Sequence, residues 1–292
     1  MVPIGTMTKK SVGIYYFSGT GNTEIVAHLL AKEFEKSARV NVVKIEDVLK
    51  GVVRLKPEEY DIVGVGYPVH ALNAPKIVFE FVKQLPHGDK KAFLFKTSGD
   101  PFMRGGPTTM VRSRLCQKGY TVFYEGLLVM PSNVLVKYDD TLVKQLYNTA
   151  VKKAAKMAED ILSGTVKIQK DDILSQVLAY FFSGLEWMGA PFIGKDLRVS
   201  PSCNLCNECV RNCPTNTIVR KDDTITFGWG CVACMRCIYN CPVNAIKPRL
   251  YKFFVLKEYN VQKIIDDPTI KGDYVSKDTK GYFKRFYDYM IE

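Results

Sequence analysis

Eight of the nine cysteines lie between positions 203 and 241, in two runs that share one spacing. Residues 203–214 read CNLCNECVRNCP and residues 231–242 read CVACMRCIYNCP, which are two copies of C-x2-C-x2-C-x3-C-P. This spacing is typical of 4Fe–4S ligation, in which the fourth cysteine of each run serves the other cluster. We therefore predict two clusters with crossed ligands. The predicted ligand sets are Cys203, Cys206, Cys209 and Cys241 for one cluster, and Cys231, Cys234, Cys237 and Cys213 for the other.

Zinc and disulfides are the alternative uses of these cysteines. Structural zinc sites usually take two C-x-x-C pairs into one tetrahedron, which gives no reason for three evenly spaced cysteines followed by a fourth. Disulfides are rare in a reducing compartment. The segment MVPIGTMTKK has no apolar core before its lysines, so we expect no signal peptide and a cytoplasmic chain. Both alternatives are therefore disfavoured.

A second stretch with chemistry is YFSGTGNTEIV at residues 16–26, where a loop of small and hydroxyl residues joins an apolar strand to a helical pattern. Glycines let backbone N–H groups approach an anion, and the start of the following helix favours negative charge. A Walker loop would need a lysine, and a dinucleotide fingerprint would need glycine where Glu24 stands. The loop is therefore predicted to hold a phosphate that carries no metal and no second nucleotide.

The first half of the chain alternates apolar strands with amphipathic helices. Strands are predicted at 11–17, 39–45, 61–66, 91–97 and 121–129, with helices between them. One helix is predicted to have Asn73 as its N-cap, and another to run from its cap Asp140 to a stop at Gly164. This alternation predicts an α/β fold, a doubly wound five-stranded parallel sheet. Ligands of such sheets bind beyond the carboxyl ends of the strands, where the turn-rich loops of this sequence also lie.

Residues 9–165 resemble flavodoxins, both in the order of the elements and in the motif YYFSGTGNTEIVA. The resemblance implies FMN as the cofactor, with two loops flanking the flavin ring. The chain has no tryptophan before position 187, whereas flavodoxins commonly place one on the ring, so one ring face is expected to be open. The implied phosphate ligands are Ser18, Gly19, Thr20, Gly21, Asn22 and Thr23, and the implied ring neighbours are Tyr67, Pro68, Val69, His70, Ala71, Thr97, Ser98, Gly99 and Asp100.

Residues 201–250 resemble the small α+β bacterial ferredoxins that carry two 4Fe–4S clusters. The whole chain thus resembles the flavodoxin–ferredoxin fusion family of anaerobic bacteria and archaea, which implies an electron-transfer protein with FMN and two clusters. In one interpretation it is a carrier that meets protein partners at both ends. In the other it is an enzyme whose open flavin face reduces a small molecule, with Tyr67, His70 or Asp100 lining the site.

The charge balance bears on the partners. The chain has 41 Lys and Arg against 30 Asp and Glu, a net charge of +11, yet no arginine-rich run or nucleic-acid motif, so nucleic acid is not expected. Residues 195–250 hold eight basic and four acidic side chains, unlike the acidic free ferredoxins. We therefore expect a protein electron donor or acceptor that is itself acidic, unless the basic residues only offset the charge of the clusters.

Two segments remain without assigned chemistry. Residues 173–194, inside an interdomain segment at 166–200, carry Glu186 as their only charge and are rich in aromatic residues. We favour a segment that covers apolar surface between the domains. A docking or membrane-surface patch and a spanning helix are the less favoured alternatives, because Glu186, three glycines and Pro191 interrupt the run. The extension at 251–292 is predicted to wrap over the core.

Overall fold

A computed structural model describes residues 9–170 and 172–292 of the chain. Residues 1–8, which include most of the segment inspected for a signal peptide, lie outside the described residues. Five parallel strands form the main sheet in the order 2-1-3-4-5, which is the flavodoxin-like order, and the predicted fold of the first half is confirmed. The strands are β1 (Ser11–Tyr16), β2 (Arg39–Lys44), β3 (Ile62–Pro68), β4 (Lys91–Ser98) and β5 (Thr121–Val129).

Helices cover both faces of this sheet and bury two apolar cores. One core packs helices α1 and α5 against one face, and the other packs α2, α3 and α4 against the opposite face. This arrangement explains why inner strands such as β1 read as continuous apolar runs, since strands covered on both faces bury side chains on both sides. The edge strand β2 is only partly buried. The helices are α1 (Asn22–Phe34), α2 (Ile45–Leu49), α3 (Lys76–Gln84), α4 (Thr109–Gln117) and α5 (Asp140–Ser163).

Two predicted helix caps were wrong. Helix α3 begins at Lys76 after Pro75, because buried Asn73 accepts a hydrogen bond from the adjacent N–H of Ala74 instead of capping the helix. Helix α5 is capped by Asp139, one residue earlier than predicted, whose carboxylate accepts a hydrogen bond from the N–H of Thr141.

The cysteine-rich region forms a small unit of short strands and helices, in which each cysteine motif contributes one short helix. Strand β6 (Leu197–Val199) pairs antiparallel with β9 (Ile246–Pro248), and β7 (Ile218–Lys221) pairs antiparallel with β8 (Thr224–Phe227). Each cysteine motif contains one short helix, α7 (Glu208–Arg211) in the first and α8 (Arg236–Tyr239) in the second. The two helices contact each other, so both motifs belong to one structural unit.

The C-terminal extension returns to the N-terminal domain, as predicted. Helices α9 (Val261–Asp266) and α10 (Lys284–Ile291) pack on α5 and form a third apolar core around Phe286, which is fully buried. The hydroxyl of Tyr289 also accepts a hydrogen bond from the N–H of Val129 at the end of β5. The extension is therefore part of the folded body of the N-terminal domain.

The interdomain segment is a single helix, α6 (Ile173–Asp196), that continues through Pro191. Its buried residues are small or polar, whereas most of its large apolar side chains are exposed. The expectation that this segment covers apolar surface was therefore wrong for those side chains. None of the helices in residues 9–170 and 172–292 combines the length and the hydropathy that crossing a bilayer requires.

Candidate functional site

The loop between β1 and α1, residues 18–23, offers backbone donors that the protein itself does not use. Among the described residues, the N–H groups of Ser18, Gly19 and Thr20 have no hydrogen-bond partner, and the N–H of Gly21 donates to the Ser18 hydroxyl at 3.2 Å. Ser18 and Gly19 are buried, so water has little access to their unpaired N–H groups. Three unpaired N–H groups at the start of a helix form a site suited to an anionic group.

The side chains of this phosphate loop, residues 18–23, join it to the loops that follow the neighbouring strands. Asn133, after β5, donates from Nδ2 to Oγ1 of Thr20 at 2.9 Å, and Asn22 donates to the carbonyl of Pro131 at 2.8 Å. The buried Oδ1 of Asn22 accepts no hydrogen bond from the described residues, which leaves an acceptor for a hydroxyl of a ligand. FMN offers both the anion and ribityl hydroxyls, so the loop fits it.

The first predicted ring loop, residues 67–71, lies beyond β3 as expected. Tyr67 and Pro68 still belong to β3, and Tyr67 is packed in the core beneath α3 and α4. The next residues form a tight turn in which His70 pairs with Asn73 through two backbone hydrogen bonds. Ala71 and Leu72 occupy the left-handed backbone region at φ 44° and 67°. The Nδ1 atom of His70 also lies 3.5 Å from a Glu186 carboxylate oxygen on α6.

The second predicted ring loop, residues 97–100, is fixed by contacts from both ends of the chain. Thr97 hydrogen-bonds through its hydroxyl to that of Thr23 at 2.8 Å, which ties β4 to the phosphate loop. The N–H of Val69 donates to the carbonyl of Thr97 at 2.8 Å, so the two ring loops are neighbours. Asp100 pairs with Arg285 of the extension at 2.7 Å. The predicted roles of both loops toward a flavin ring stay predictions.

The eight clustered cysteines line two separate cavities. The grouping coincides with the crossed sets that the sequence predicts, four cysteines to each cavity, with three from one motif and one from the other. Cavity I is lined by Cys203, Cys206, Cys209 and Cys241, and cavity II by Cys213, Cys231, Cys234 and Cys237. The other residues around cavity I are mostly apolar, among them Val199, Ile225 and Ile246.

Burial disfavours the thiolate form of these cysteines when no metal group is bound. It raises the pKa of the Cys231 thiol to about 12 and that of Cys237 well above its ordinary value. Four thiols that face one cavity are soft ligands which become thiolates when a metal group neutralises them. Within residues 9–170 and 172–292, no three His, Cys, Asp or Glu side chains converge tightly enough to hold a single metal ion. A cubane cluster differs in that its four irons take one thiolate each, at wider separation.

The backbone around the two cavities repeats an unusual conformation. Leu205 and Ala233 have φ of 56° and 49°, and each lies two residues after the first cysteine of its motif. Asn207 and Met235, two residues further on, also have positive φ. Residues other than glycine rarely adopt positive φ. Backbone strain of this kind is concentrated at sites that clamp a ligand. Each motif therefore folds as the same strained loop around its cavity.

Arg236, which stands between two cysteines of the second motif, connects this motif to the phosphate loop. Its guanidinium donates to the carbonyl of Ser18, to the carbonyl of Gly19 at 3.3 Å, and to the carbonyl of Asn212 in the first motif at 3.0 Å. It also forms an ion pair of 2.6 Å with Glu46 on α2, and both side chains are nearly buried. One side chain thus ties both motifs to the loop.

These hydrogen bonds orient the free donors of the loop. In a planar trans peptide, a carbonyl and the N–H of the next residue point in opposite directions. Because Arg236 holds the carbonyls of Ser18 and Gly19, the N–H groups of Gly19 and Thr20 are turned away from the cysteine motif. They face the side on which an anion can bind.

The same contact explains why position 19 is a glycine. A Cβ atom at Gly19 would lie 2.5 Å from the backbone carbonyl oxygen of Cys234, closer than a carbon side chain can approach. The backbone of cavity II therefore packs directly on the backbone of the phosphate loop. In the sequence Arg236 is one of eight basic residues between 195 and 250. The difference from Glu208, which holds the matching position of the first motif, indicates a separate role for Arg236 but not its partners.

The family model described as flavodoxin domain matches residues 13–100, from β1 to the loop after β4. Together with the strand order, this match makes the N-terminal domain flavodoxin-like. Such a domain implies flavin-based electron transfer and supports FMN as its cofactor. The match ends before the cysteine motifs.

Similar proteins cover only part of the chain. An uncharacterized protein of Methanocaldococcus jannaschii is 29% identical over 104 residues, which are 36% of this chain and 64% of that protein. The chain therefore spans less than two thirds of this curated relative. Among solved structures, Megasphaera elsdenii flavodoxin is 26% identical and covers 50% of this chain and 98% of its own, with a TM-score of 0.35. Flavodoxin 2 from Bacillus cereus is 18% identical and covers 52% of this chain and 98% of its own, with a TM-score of 0.39.

The buried ion pair of Arg236 leads to a stability prediction. We expect Arg236→Met to lower the free energy of unfolding by about 3–5 kcal/mol, because it leaves the Glu46 carboxylate buried without its partner. The double variant Arg236→Met/Glu46→Gln should recover part of this loss, since it removes the uncompensated charge. Urea denaturation of anaerobically prepared protein measures both changes.

Arg211→Met is the matched control, because Arg211 forms an exposed ion pair with Glu208 in the first motif. Exposed pairs contribute roughly 0–1 kcal/mol, so this variant should unfold close to the parent. Equal effects of Arg236→Met and Arg211→Met would contradict the assignment of Arg236 as the buried connection between motif and loop.

Proposed function

We propose that the chain is an electron-transfer flavo-iron–sulfur protein, which passes electrons between two 4Fe–4S clusters and FMN and exchanges them with a protein redox partner. The observation that carries this proposal is the direct contact of cavity II with the phosphate loop, through Arg236 and through the approach of the Cys234 carbonyl to Gly19. Two redox groups bound at these places would be neighbours within one chain.

The N-terminal half of the proposal rests on the donors of the phosphate loop. The N–H groups of Ser18, Gly19 and Thr20 would hold the FMN phosphate, helped by the N-terminus of α1. FMN supplies a centre that accepts one or two electrons. The loops at 67–71 and 97–100 would flank its ring, because they lie beside the phosphate loop at the carboxyl end of the sheet, next to the β1/β3 switch point.

The C-terminal half rests on the cysteines. Cys203, Cys206, Cys209 and Cys241 would hold one cluster, and Cys213, Cys231, Cys234 and Cys237 the other. Iron–sulfur clusters supply transfer of one electron at a time. The N–H of Ala245 donates to the sulfur of Cys241 at 3.2 Å, and that of Ala233 to the sulfur of Cys231 at 3.4 Å. Hydrogen bonds of this kind to cluster sulfurs influence the reduction potential.

A carrier is better supported than a reductase of small molecules. The three residues predicted to line a substrate site are engaged elsewhere, since Tyr67 is packed in the core, His70 faces Glu186 and Asp100 pairs with Arg285. The proposed partner is therefore a protein. The positive charge of the cysteine-rich region favours an acidic one.

Crossed ligation can be tested through Cys213, which belongs to the first motif but lines cavity II. Anaerobically prepared parent should contain about eight iron atoms and as many labile sulfides per chain. We expect Cys213→Ser to damage the cluster of Cys231, Cys234 and Cys237 and to leave the other intact, so that iron falls to about half. Iron and sulfide analysis, with spectra of the remaining cluster, measures this change.

Cys116→Ser is the control for loss of a thiol, because Cys116 is exposed on α4 and lines neither cavity. It should keep the full iron content. Bound zinc without labile sulfide in the parent would contradict the cluster assignment. Loss of the cluster of Cys203, Cys206 and Cys209 in Cys213→Ser would instead contradict the crossed pairing.

The phosphate assignment can be tested at Ser18. Its hydroxyl accepts a hydrogen bond from Gly21, which leaves the hydroxyl hydrogen available to a phosphate oxygen. A hydrogen bond to a charged group contributes roughly 1.5–3 kcal/mol, so Ser18→Ala should weaken FMN binding about tenfold to a hundredfold. Titration of the apoprotein with FMN and with riboflavin measures the effect.

Riboflavin lacks the phosphate, so its affinity should be low and nearly the same in parent and variant. Ser163→Ala, which removes an exposed hydroxyl at the end of α5, is the matched control and should bind FMN like the parent. If Ser18→Ala weakened riboflavin as much as FMN, the loop would act on the ring site and the phosphate assignment would be wrong.

A further inference from the structure

Helix α6 exposes a continuous apolar face, which we define as the eight exposed side chains listed below. A ninth exposed side chain, Phe182, lies beside this face and packs on the ring of Phe181. Ile173 is 80% exposed and Met188 is 63% exposed. At 3.6 residues per turn these eight side chains fall within about 140° of the helix circumference. No charged residue interrupts this face, since Glu186 lies on the other side of the helix against His70. The members are Ile173, Leu174, Val177, Tyr180, Phe181, Leu185, Met188 and Phe192.

A helix that covers a core turns its large apolar side chains toward the protein, whereas α6 turns most of them toward solvent. The buried residues of α6 are small or polar, namely Ala179, Ser183, Ala190, Gly194 and Asp196, and Trp187 packs on Phe79 at the edge of this side. Large apolar side chains stabilise a fold most when they are buried, and here they point to solvent. An exposed patch of this extent marks an interaction surface.

Aromatic and basic groups border this face at its C-terminal end. Trp229, itself 59% exposed, packs edge to face on Phe192 with ring centroids 5.4 Å apart. The ammonium of Lys195 lies 5.2 Å from the centre of the Trp229 ring. Tryptophan, tyrosine and lysine in such positions are typical of proteins that sit at the boundary between lipid headgroups and acyl chains.

A basic cleft runs beside α6. It is lined by Lys76 and Lys83 of α3, by Arg114 of α4 and by Lys118, which follows α4, with Glu80 as the one carboxylate among its lining residues. Trp187 of α6 lines the same cleft and packs on Phe79 of α3. The apolar face is therefore flanked by a surface of net positive charge.

We propose that this face binds an anionic lipid bilayer, with α6 lying in the plane of the headgroups. An amphipathic helix with aromatic and aliphatic residues on one side and basic residues beside it binds such surfaces through buried apolar area and attraction to anionic lipid. A second copy of this chain fits less well. Two chains of net charge +11 repel each other.

This binding mode would bring a redox site close to the membrane. A Cβ atom at Gly194 would lie 2.4 Å from the Cβ of Cys231, so the C-terminal end of α6 packs directly on cavity II. The thickness of one helix, about 10 Å, separates that cavity from the apolar face. The lipid-binding proposal itself does not depend on the cofactors.

Cosedimentation of the full, anaerobically prepared chain with vesicles tests the proposal. The parent should bind equimolar phosphatidylcholine–phosphatidylglycerol vesicles at low salt. Its affinity for vesicles of phosphatidylcholine alone should be at least tenfold lower. Phe181→Ser/Leu185→Ser should reduce binding to the anionic vesicles at least tenfold, since it removes two large side chains from the apolar face. Val52→Ser/Val166→Ser, which changes two exposed valines outside α6, is the matched control and should bind like the parent.

The charge component has its own pair of variants. Lys83→Glu/Lys118→Glu should weaken binding to the anionic vesicles about tenfold or more, whereas Lys36→Glu/Lys156→Glu, on distant exposed positions, should not. Unchanged iron content and visible spectra show that each variant is folded. The proposal is overturned if the parent does not bind anionic vesicles, or if the α6 variant binds them as the parent does. It is also overturned if the face instead forms a dimer that Phe181→Ser/Leu185→Ser dissociates.

Discussion

The ion pair between Arg236 and Glu46 lies where the second cysteine motif, the phosphate loop and α2 meet, and its nitrogen and oxygen are 2.6 Å apart. The remaining donors of the guanidinium hold the carbonyls of Ser18, Gly19 and Asn212. A buried arginine with several acceptors in fixed positions is costly to displace, since each freed carbonyl and the carboxylate would be left unpaired. This side chain, together with the close approach of the Cys234 carbonyl to Gly19, sets the relative placement of the phosphate loop and cavity II.

The two cysteine motifs match in most features but differ at the position of this arginine. Both cysteine motifs share their spacing, their short helix and their positive-φ positions, yet only the second carries an arginine where the first carries Glu208. Glu208 forms an exposed pair with Arg211, whereas Arg236 reaches across to the N-terminal domain. The duplicated unit is therefore used asymmetrically, with cavity II next to the phosphate loop.

Local patterns were sufficient to predict the parts of the molecule that local physics determines. The parallel sheet followed from apolar strands that alternate with helices, and the end of α5 from Gly164, which takes the left-handed conformation at φ 81°. The two ligand sets inferred from the cysteine spacing stay a prediction, although each of the two cavities is lined by one of these sets. Single-residue helix starts were less predictable, because Asn73 found a partner in its own turn.

What the sequence could not predict depends on contacts between distant segments. Nothing local indicates that Arg236 lies against Ser18, or that Tyr138 and Phe286 pack together at the end of the chain. The direction of the apolar face of α6 is another such case. Aromatic residues in a continuous run fit a buried helix equally well, and only the packing of Ala179 and Ser183 against the protein turns Phe181 and Leu185 outward.

We propose that the contact of cavity II with the phosphate loop joins both redox groups within one chain. The most direct measurement is the rate at which a flavin signal responds after rapid anaerobic reduction of the iron–sulfur centres, followed over a range of protein concentrations. If the contact serves electron transfer, the rate constant is first-order and independent of protein concentration. A rate that rises in proportion to protein concentration would mean that electrons pass between molecules, and would contradict the claim.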